Sequence, residues 1–372
     1  MKIAEFGVES WLNRWEKSAQ YDISQSTISA LTLQELFTIT KTDPQQFIDQ
    51  IFQSPMNYGW IEGSPQFKQQ VCQLYDHVHP QQVLQTNGAT GANYLALYSL
   101  IEPGDHVISE YPSYQQMFDI PKSLGAKVDL WHIQESHNWY PSIQELKQLV
   151  RPDTKLICLN NANNPTGTLL KRDFLEQVVQ IAKSVHAYVL VDEVYLPLDE
   201  PENFVSIVDL YNDGIATNSL SKSYSCPGVR IGWIVANEQL SDQFRKYRDY
   251  TMICGGVIND LLATYILEHR YQIWERNRKL VLNNLQIFQQ WLEQEPRVSC
   301  VLPQAVSTSC IKLDIPIATK DFCLNLLKQT GVLLVPGECF DLPGHARLGY
   351  CTDEATLKAG LTRLSQFLRQ YD

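Results

Sequence analysis

The chain has 372 residues, 44% hydrophobic and 19% charged, an ordinary globular composition with length for more than one compact unit. Its formal net charge of -11 argues against a nucleic-acid surface and against an anionic membrane as partner. Nine cysteines are scattered without a C-x-x-C pair, which reads as reduced, mostly buried thiols, and no metal site is expected.

The N-terminal stretch "MKIAEFGVESWLNRWEK" carries charges throughout and lacks the apolar core of a secretion signal. No apolar run approaches the roughly 18 residues of a membrane helix, so a cytoplasmic location is expected. Residues 1–45 are polar and helical in part. The middle of the chain then alternates short apolar strands with helical patterns. Strands are read at 105–114, 154–160, 187–195, 214–220 and 229–237, and a helix at 171–186. Such alternation predicts an α/β fold with a mostly parallel sheet covered by helices on both faces. Residues 275–372 begin with the helical pattern "ERNRKLVLNNLQIFQQWLEQ" and continue with the short strands "SCIKLDI", "VLLVPG" and "ARLGYC". This predicts a large domain over 46–284 and a smaller α+β domain built from 1–45 and 285–372.

Ligands of parallel sheets bind outside the C-terminal strand ends, so the turns there are where chemistry is sought. "TNGATGANYLAL" (86–97) is a glycine-flanked turn opening a helix, which exposes unpaired N–H groups that suit an anion; taken alone, an ordinary helix start also accounts for it. "NNANNPTG" places Asn164 between a strand end and a turn set by Pro165 and Gly167; turn formation alone also accounts for it. "VLVDEVYLPL" sets Asp192 and Glu193 directly after a buried run, where an acid is expensive without a cation or donors. Asp192 and Tyr195 are three apart and can face one ligand, although a solvent-facing strand end is the other reading. "NSLSKSYSCPGVRIGW" brings Ser219, Lys222 and Arg230 together at two strand borders. Ser219 and the Arg230 fork suit a phosphate. A partly desolvated lysine near cations becomes a nucleophilic amine, whereas a lone loop lysine is ordinarily solvated. A phosphate site, an acid, a phenol, an amide and a nucleophilic lysine form the set that pyridoxal 5'-phosphate requires.

With those motifs in place, the sequence resembles the class I/II aminotransferases, enzymes of fold type I that depend on pyridoxal 5'-phosphate. "NNPTG", "DEVY", "SLSKSYSCPGVRIGW" and "LPGHARLGYC" occur in the family's order, and the resemblance runs from about Tyr58 to Arg347. It implies that Lys222 holds the cofactor as a Schiff base and moves the substrate proton, with Asp192 at the pyridinium nitrogen. Tyr195 and Asn164 would hydrogen-bond the phenolic oxygen, and Tyr114 would stack on the ring. Ala89, Thr90, Ser219 and Arg230 would hold the phosphate. Arg347, with Asn164 beside it, would bind the substrate's α-carboxylate. Tyr58, in "NYGWIEG", would reach the phosphate of a neighbouring subunit, which implies a homodimer. The implied reaction passes the amino group of an α-amino acid to a 2-oxo acid.

Three departures from the family pattern fall mostly on the substrate side. "YDISQSTISALTLQELF" lacks the usual Gly-x-Pro, Ala162 stands for a proline, and "LPQAVSTSC" lacks the usual glycines. The first of these is also loosely similar to an aminotransferase-like group that includes capreomycidine synthase. A lyase or cyclase on the same cofactor, such as a carbon–sulfur β-lyase, is therefore the alternative. Regulators that keep this fold behind a DNA-binding domain are disfavoured by the acidic charge and the short segment before Tyr58.

Overall fold

The computed structural model describes residues 2–201 and 204–372. A seven-stranded sheet organises the middle of the chain, in the order Val83–Thr86, Gly232–Val235, Gly214–Ser219, Tyr188–Asp192, Thr154–Asn160, His106–Tyr111 and Lys127–His132. Neighbours pair in parallel except around Gly232–Val235, which runs antiparallel to both its partners. The apolar runs read from the sequence become its inner strands, buried on both faces as a parallel sheet requires.

Side-chain alternation divides these strands between two cores. Ile157, Leu159, Val189 and Val191 point into one cluster, where the helix Arg172–Val185 lays down Phe174, Val178 and Ala182. Leu156, Cys158 and Leu190 point the other way, against Ala92, Leu95 and Ala96 of the helix Gly88–Leu100. Lys127–His132 lies at the sheet edge with several half-exposed residues, so its hydrophobic signal was too weak to read as a strand.

A second, antiparallel sheet is ordered Val335–Pro336, His345–Leu348, Ser309–Leu313, Val298–Cys300. Beside it, Tyr21–Asp22 pairs in parallel with Val332–Leu333, which ties the N-terminal segment to the C-terminal one. The core beneath gathers Val8, Trp11, Ile23 and Ile28 with Val281, Phe288, Phe322 and Leu364. The helix Arg270–Leu292 spans both bodies, with Ile273 in the first core and Val281 and Phe288 in the second.

The helix Leu33–Thr40 lies within the expected 1–45 segment yet packs on the large sheet's side. Leu36 joins the first core, and Phe37 stacks near Phe47 and Tyr265 at ring distances of 5.6 and 5.1 Å. We propose that the smaller unit takes the N-terminal segment only as far as about Ile28, which is the last residue there to enter the second core. Among the described residues no helix is long and apolar enough to cross a membrane.

Leu190 is fully buried one turn of the pleat before Asp192, so Leu190→Ala should cost about 2–5 kcal/mol through lost apolar contact and a cavity. Urea unfolding monitored by circular dichroism measures this, and a loss below about 1 kcal/mol would contradict so tight a core.

Candidate active site

The C-terminal ends of the parallel strands, the second sheet and the first helix enclose a cavity of about 500 Å³. Ala89, Thr90, Tyr114, Asn164, Asp192, Tyr195, Ser219, Lys222, Arg230 and Arg347 all line it. Ten of the residues singled out in the sequence, drawn from six separate segments, thus share one space. Tyr58 does not: it lies on the outer surface, 66% exposed.

Asp192 terminates its strand and is buried. Asn93 Nδ2 donates to one carboxylate oxygen at 2.7 Å, and the Val194 backbone N–H donates to the other at 3.3 Å. Thr217 Oγ1 in turn donates to Asn93 Oδ1 at 2.6 Å, which fixes the amide's orientation. Burial nevertheless raises the Asp192 carboxyl to about 6, because the charged form loses water faster than these donors replace it. Glu193, its neighbour, faces away from the cavity. Its carboxylate accepts from Ser206 Oγ at 2.8 Å and from the Ile207 N–H at 2.9 Å, and burial raises it to about 8.

Lys222 lines the same cavity and is partly buried. Its Nζ donates to Ser26 Oγ at 2.7 Å and to Thr27 Oγ1 at 3.5 Å, and lies 5.8 Å from the Tyr195 ring centre. Desolvation lowers its amine to about 8, with a further push from the Arg347 charge. Such an amine is half neutral at about pH 8 and mostly neutral above it, the state in which it is a nucleophile. Burial also raises the Tyr195 phenol to about 12.

Arg347 reaches the cavity from the second sheet, 2% exposed. Its Nε and Nη2 donate to the Ser24 carbonyl at 3.1 and 2.9 Å, and Nη1 donates to Asn164 Oδ1 at 3.2 Å. Asn164 is itself held, its N–H donating to Asn160 Oδ1 at 2.8 Å. The guanidinium keeps N–H groups for a further acceptor, and a planar fork matches a carboxylate.

The phosphate end is set by the helix Gly88–Leu100. Asn87 at its N-terminus makes no side-chain cap, and Ala89 and Thr90 of the first turn line the cavity with Arg230 and Ser219. Gly88 has φ +66°, and a Cβ there would lie 2.7 Å from Arg230 Nη2. A glycine is thus required where the guanidinium closes over the helix start, a cradle that suits a phosphate. Lysine amine, buried acid, amide, phenols and anion cradle together fit pyridoxal 5'-phosphate.

Several residues at the site escaped the sequence reading, Asn93, Ser221, Ser26 and Thr27 among them. Asn93 and Ser221 lie inside motifs whose other members drew the attention. Ser26 and Thr27 sit in "YDISQSTISALTLQELF", where the departure from the family pattern was visible but not the contact with Lys222, some 196 residues away.

Residues 32–364 match the family model of the class I and II aminotransferases. An aspartate aminotransferase from Thermotoga maritima is 31% identical over 301 residues, which cover 78% of this chain and 76% of the relative. Capreomycidine synthase from Streptomyces vinaceus is 25% identical over 97% of this chain and 93% of its own. Among solved structures, a PLP-dependent aminotransferase from Streptococcus suis is 56% identical, with a TM-score of 0.98 and coverage of 100% and 99% of the two chains.

The Lys222 amine should titrate near pH 8 in the protein freed of cofactor. Competitive acylation followed by peptide mass spectrometry should show its reactivity rising through pH 8 and levelling above. A midpoint near the ordinary 10.4 would mean that the amine is hydrated.

Proposed function

This chain belongs to the class I and II aminotransferases and is a pyridoxal-5'-phosphate-dependent enzyme of fold type I, and from that premise we propose how its residues divide the work. Lys222 would hold the cofactor through its aldehyde carbon, with water as the leaving group, and its amine would carry the proton at the substrate's α-carbon. The observation that carries this reading is one cavity holding the depressed Lys222 amine, the buried Asp192 carboxylate and the buried Arg347 fork. Pyridoxal phosphate supplies an electron sink when bound. Asp192 holds a negative charge for the pyridine nitrogen, its position set by Asn93 and the Val194 N–H. Tyr195 and Asn164 offer hydrogen bonds to the phenolic oxygen, and Tyr114 a ring to stack upon. Ala89, Thr90, Ser219 and Arg230 receive the phosphate. Arg347 and Asn164 orient the α-carboxylate, so that the α-hydrogen meets Lys222. The substrates are an α-amino acid and a 2-oxo acid, and the expected location remains the cytoplasm.

A second reading has support in the capreomycidine synthase relative, which matches nearly the whole chain. The same residues serve an elimination or a cyclisation, because these reactions also begin by removing the α-hydrogen. Incubation of the holoenzyme with a panel of amino acids separates the outcomes. Conversion to pyridoxamine phosphate with a 2-oxo acid is expected, whereas ammonia release would favour the second reading. Borohydride reduction should fix the cofactor on the peptide containing Lys222, and labelling elsewhere would refute that role.

We also propose a homodimer. Tyr58, Trp60 and Ile61 are exposed beside Phe52 and Met56, an apolar surface that a symmetric partner would cover. In that arrangement Tyr58 serves the partner's phosphate. Tyr58→Phe removes a hydrogen bond to a charged group, so cofactor affinity should fall roughly ten- to a hundredfold. Mixing Tyr58→Phe with Lys222→Ala protein should restore activity through heterodimers with one intact site. An active monomer by light scattering would defeat the model.

A further inference from the structure

The helix Gly7–Trp15 forms the outer wall of the cavity, and its position is fixed from both sides. Val8 and Trp11 are buried in the second core, and Trp11 Nε1 donates to the Leu334 carbonyl at 2.9 Å. On the large sheet's side the Gly7 N–H donates to Gln115 Oε1 at 2.8 Å, Gln115 Nε2 donates to the Glu5 carbonyl at 2.9 Å, and Phe6 packs on Tyr114 with ring centres 5.0 Å apart. Between these anchors Glu9, Asn13 and Glu16 follow at i, i+4 and i+7, and all three line the cavity with Leu12.

The charges in this space are unequally assigned. Lys222, Arg230 and Arg347 are the cations of the lining, and each serves the cofactor amine, the phosphate or the α-carboxylate in the proposed reaction. Among the acids, Asp192 serves the pyridine nitrogen, and Glu16 pairs at 3.5 Å with the exposed Lys17. Glu9 has no such duty. Among the described residues its side chain accepts one long hydrogen bond, from Tyr114 Oη at 3.3 Å, and it makes no ion pair. Its charge reaches inward all the same, since it favours the protonated forms of Lys222 and Arg347. A carboxylate held in place beside a cofactor cavity, with lone pairs to spare, asks for a donor on the ligand. Among the described residues of one subunit the lining offers no cation beyond these three to a second carboxylate of a substrate, while Phe6 and Leu12 offer apolar surface to an aliphatic stem.

We propose that Glu9 is a specificity-determining residue that selects α-amino acids whose side chain ends in a cation, such as an ammonium or guanidinium on an aliphatic stem. The assignment rests on the reading of Arg347 as the α-carboxylate site, which leaves the substrate's other end to the first helix.

The 2-methyl amino acids lack an α-hydrogen, so their binding to the holoenzyme is read by spectral titration without turnover. The wild-type protein should bind 2-methyl-lysine at least about tenfold tighter than 2-methyl-norleucine, the effect of one hydrogen-bonded charge pair. In Glu9→Gln that preference should fall at least fivefold. Asn13→Asp, which adds a third acid to the same stripe between Glu9 and Glu16, should increase it. Equal wild-type affinity for the two analogues, tighter binding of 2-methyl-aspartate, or an unchanged preference in Glu9→Gln would overturn the proposal. Arg347→Lys separates the two assignments. If it weakens no analogue, the carboxylate reading falls and this inference with it. If it weakens all analogues alike while Glu9→Gln leaves the lysine preference intact, only the role of Glu9 falls.

Discussion

Keeping charge in a space poor in water is the constraint on which this molecule turns. Asp192 and Arg347 are buried and Lys222 partly so, and each is pushed toward its neutral form by the loss of hydration. The displacements run in opposite senses, up for the acid and down for the bases, and bring Asp192 and Lys222 to about 6 and about 8. An isolated buried charge would cost too much to retain. Here each has hydrogen-bond partners, and the charges of opposite sign share one cavity.

Position follows from the same need. Asn160, Asn164 and Arg347 form a chain from the large sheet to the small one, and the Ser24 carbonyl closes it from the N-terminal segment. Three of the guanidinium N–H groups are taken up by this chain, which in turn sets the planar fork relative to the lysine. The two sheets are thereby registered to each other at the point where the substrate would lie. The first helix, gripped by Trp11 on one side and Gln115 on the other, completes the enclosure.

Adjacent residues show how strand geometry decides chemical fate. Asp192 and Glu193 follow one another at a strand end and both are buried. Asp192 faces the cavity, whereas Glu193 turns to the opposite side, where Ser206 and Ile207 take up its oxygens. One presents its carboxylate to the cavity and the other is a bracket for the loop after the strand. Neither type nor burial distinguishes them; only the alternation of the strand does.

The sequence by itself determined the cofactor chemistry and the large sheet. Apolar runs of strand length between helical patterns carry a strong local signal, and the turns after them concentrate reactive residues because parallel strands end there. The Lys222-to-Arg230 spacing, the acid after "VLV" and the arginine in "GHARLGYC" were therefore legible without coordinates. Tertiary structure alone decided that Ser26 meets Lys222, that Asn93 orients Asp192, that the helix Leu33–Thr40 packs with the large sheet, and that Glu9 looks into the cavity. These are contacts between segments far apart along the chain. A polar residue on a short amphipathic helix has the same periodicity whether it faces water or a substrate, so its role depends on where packing delivers the helix.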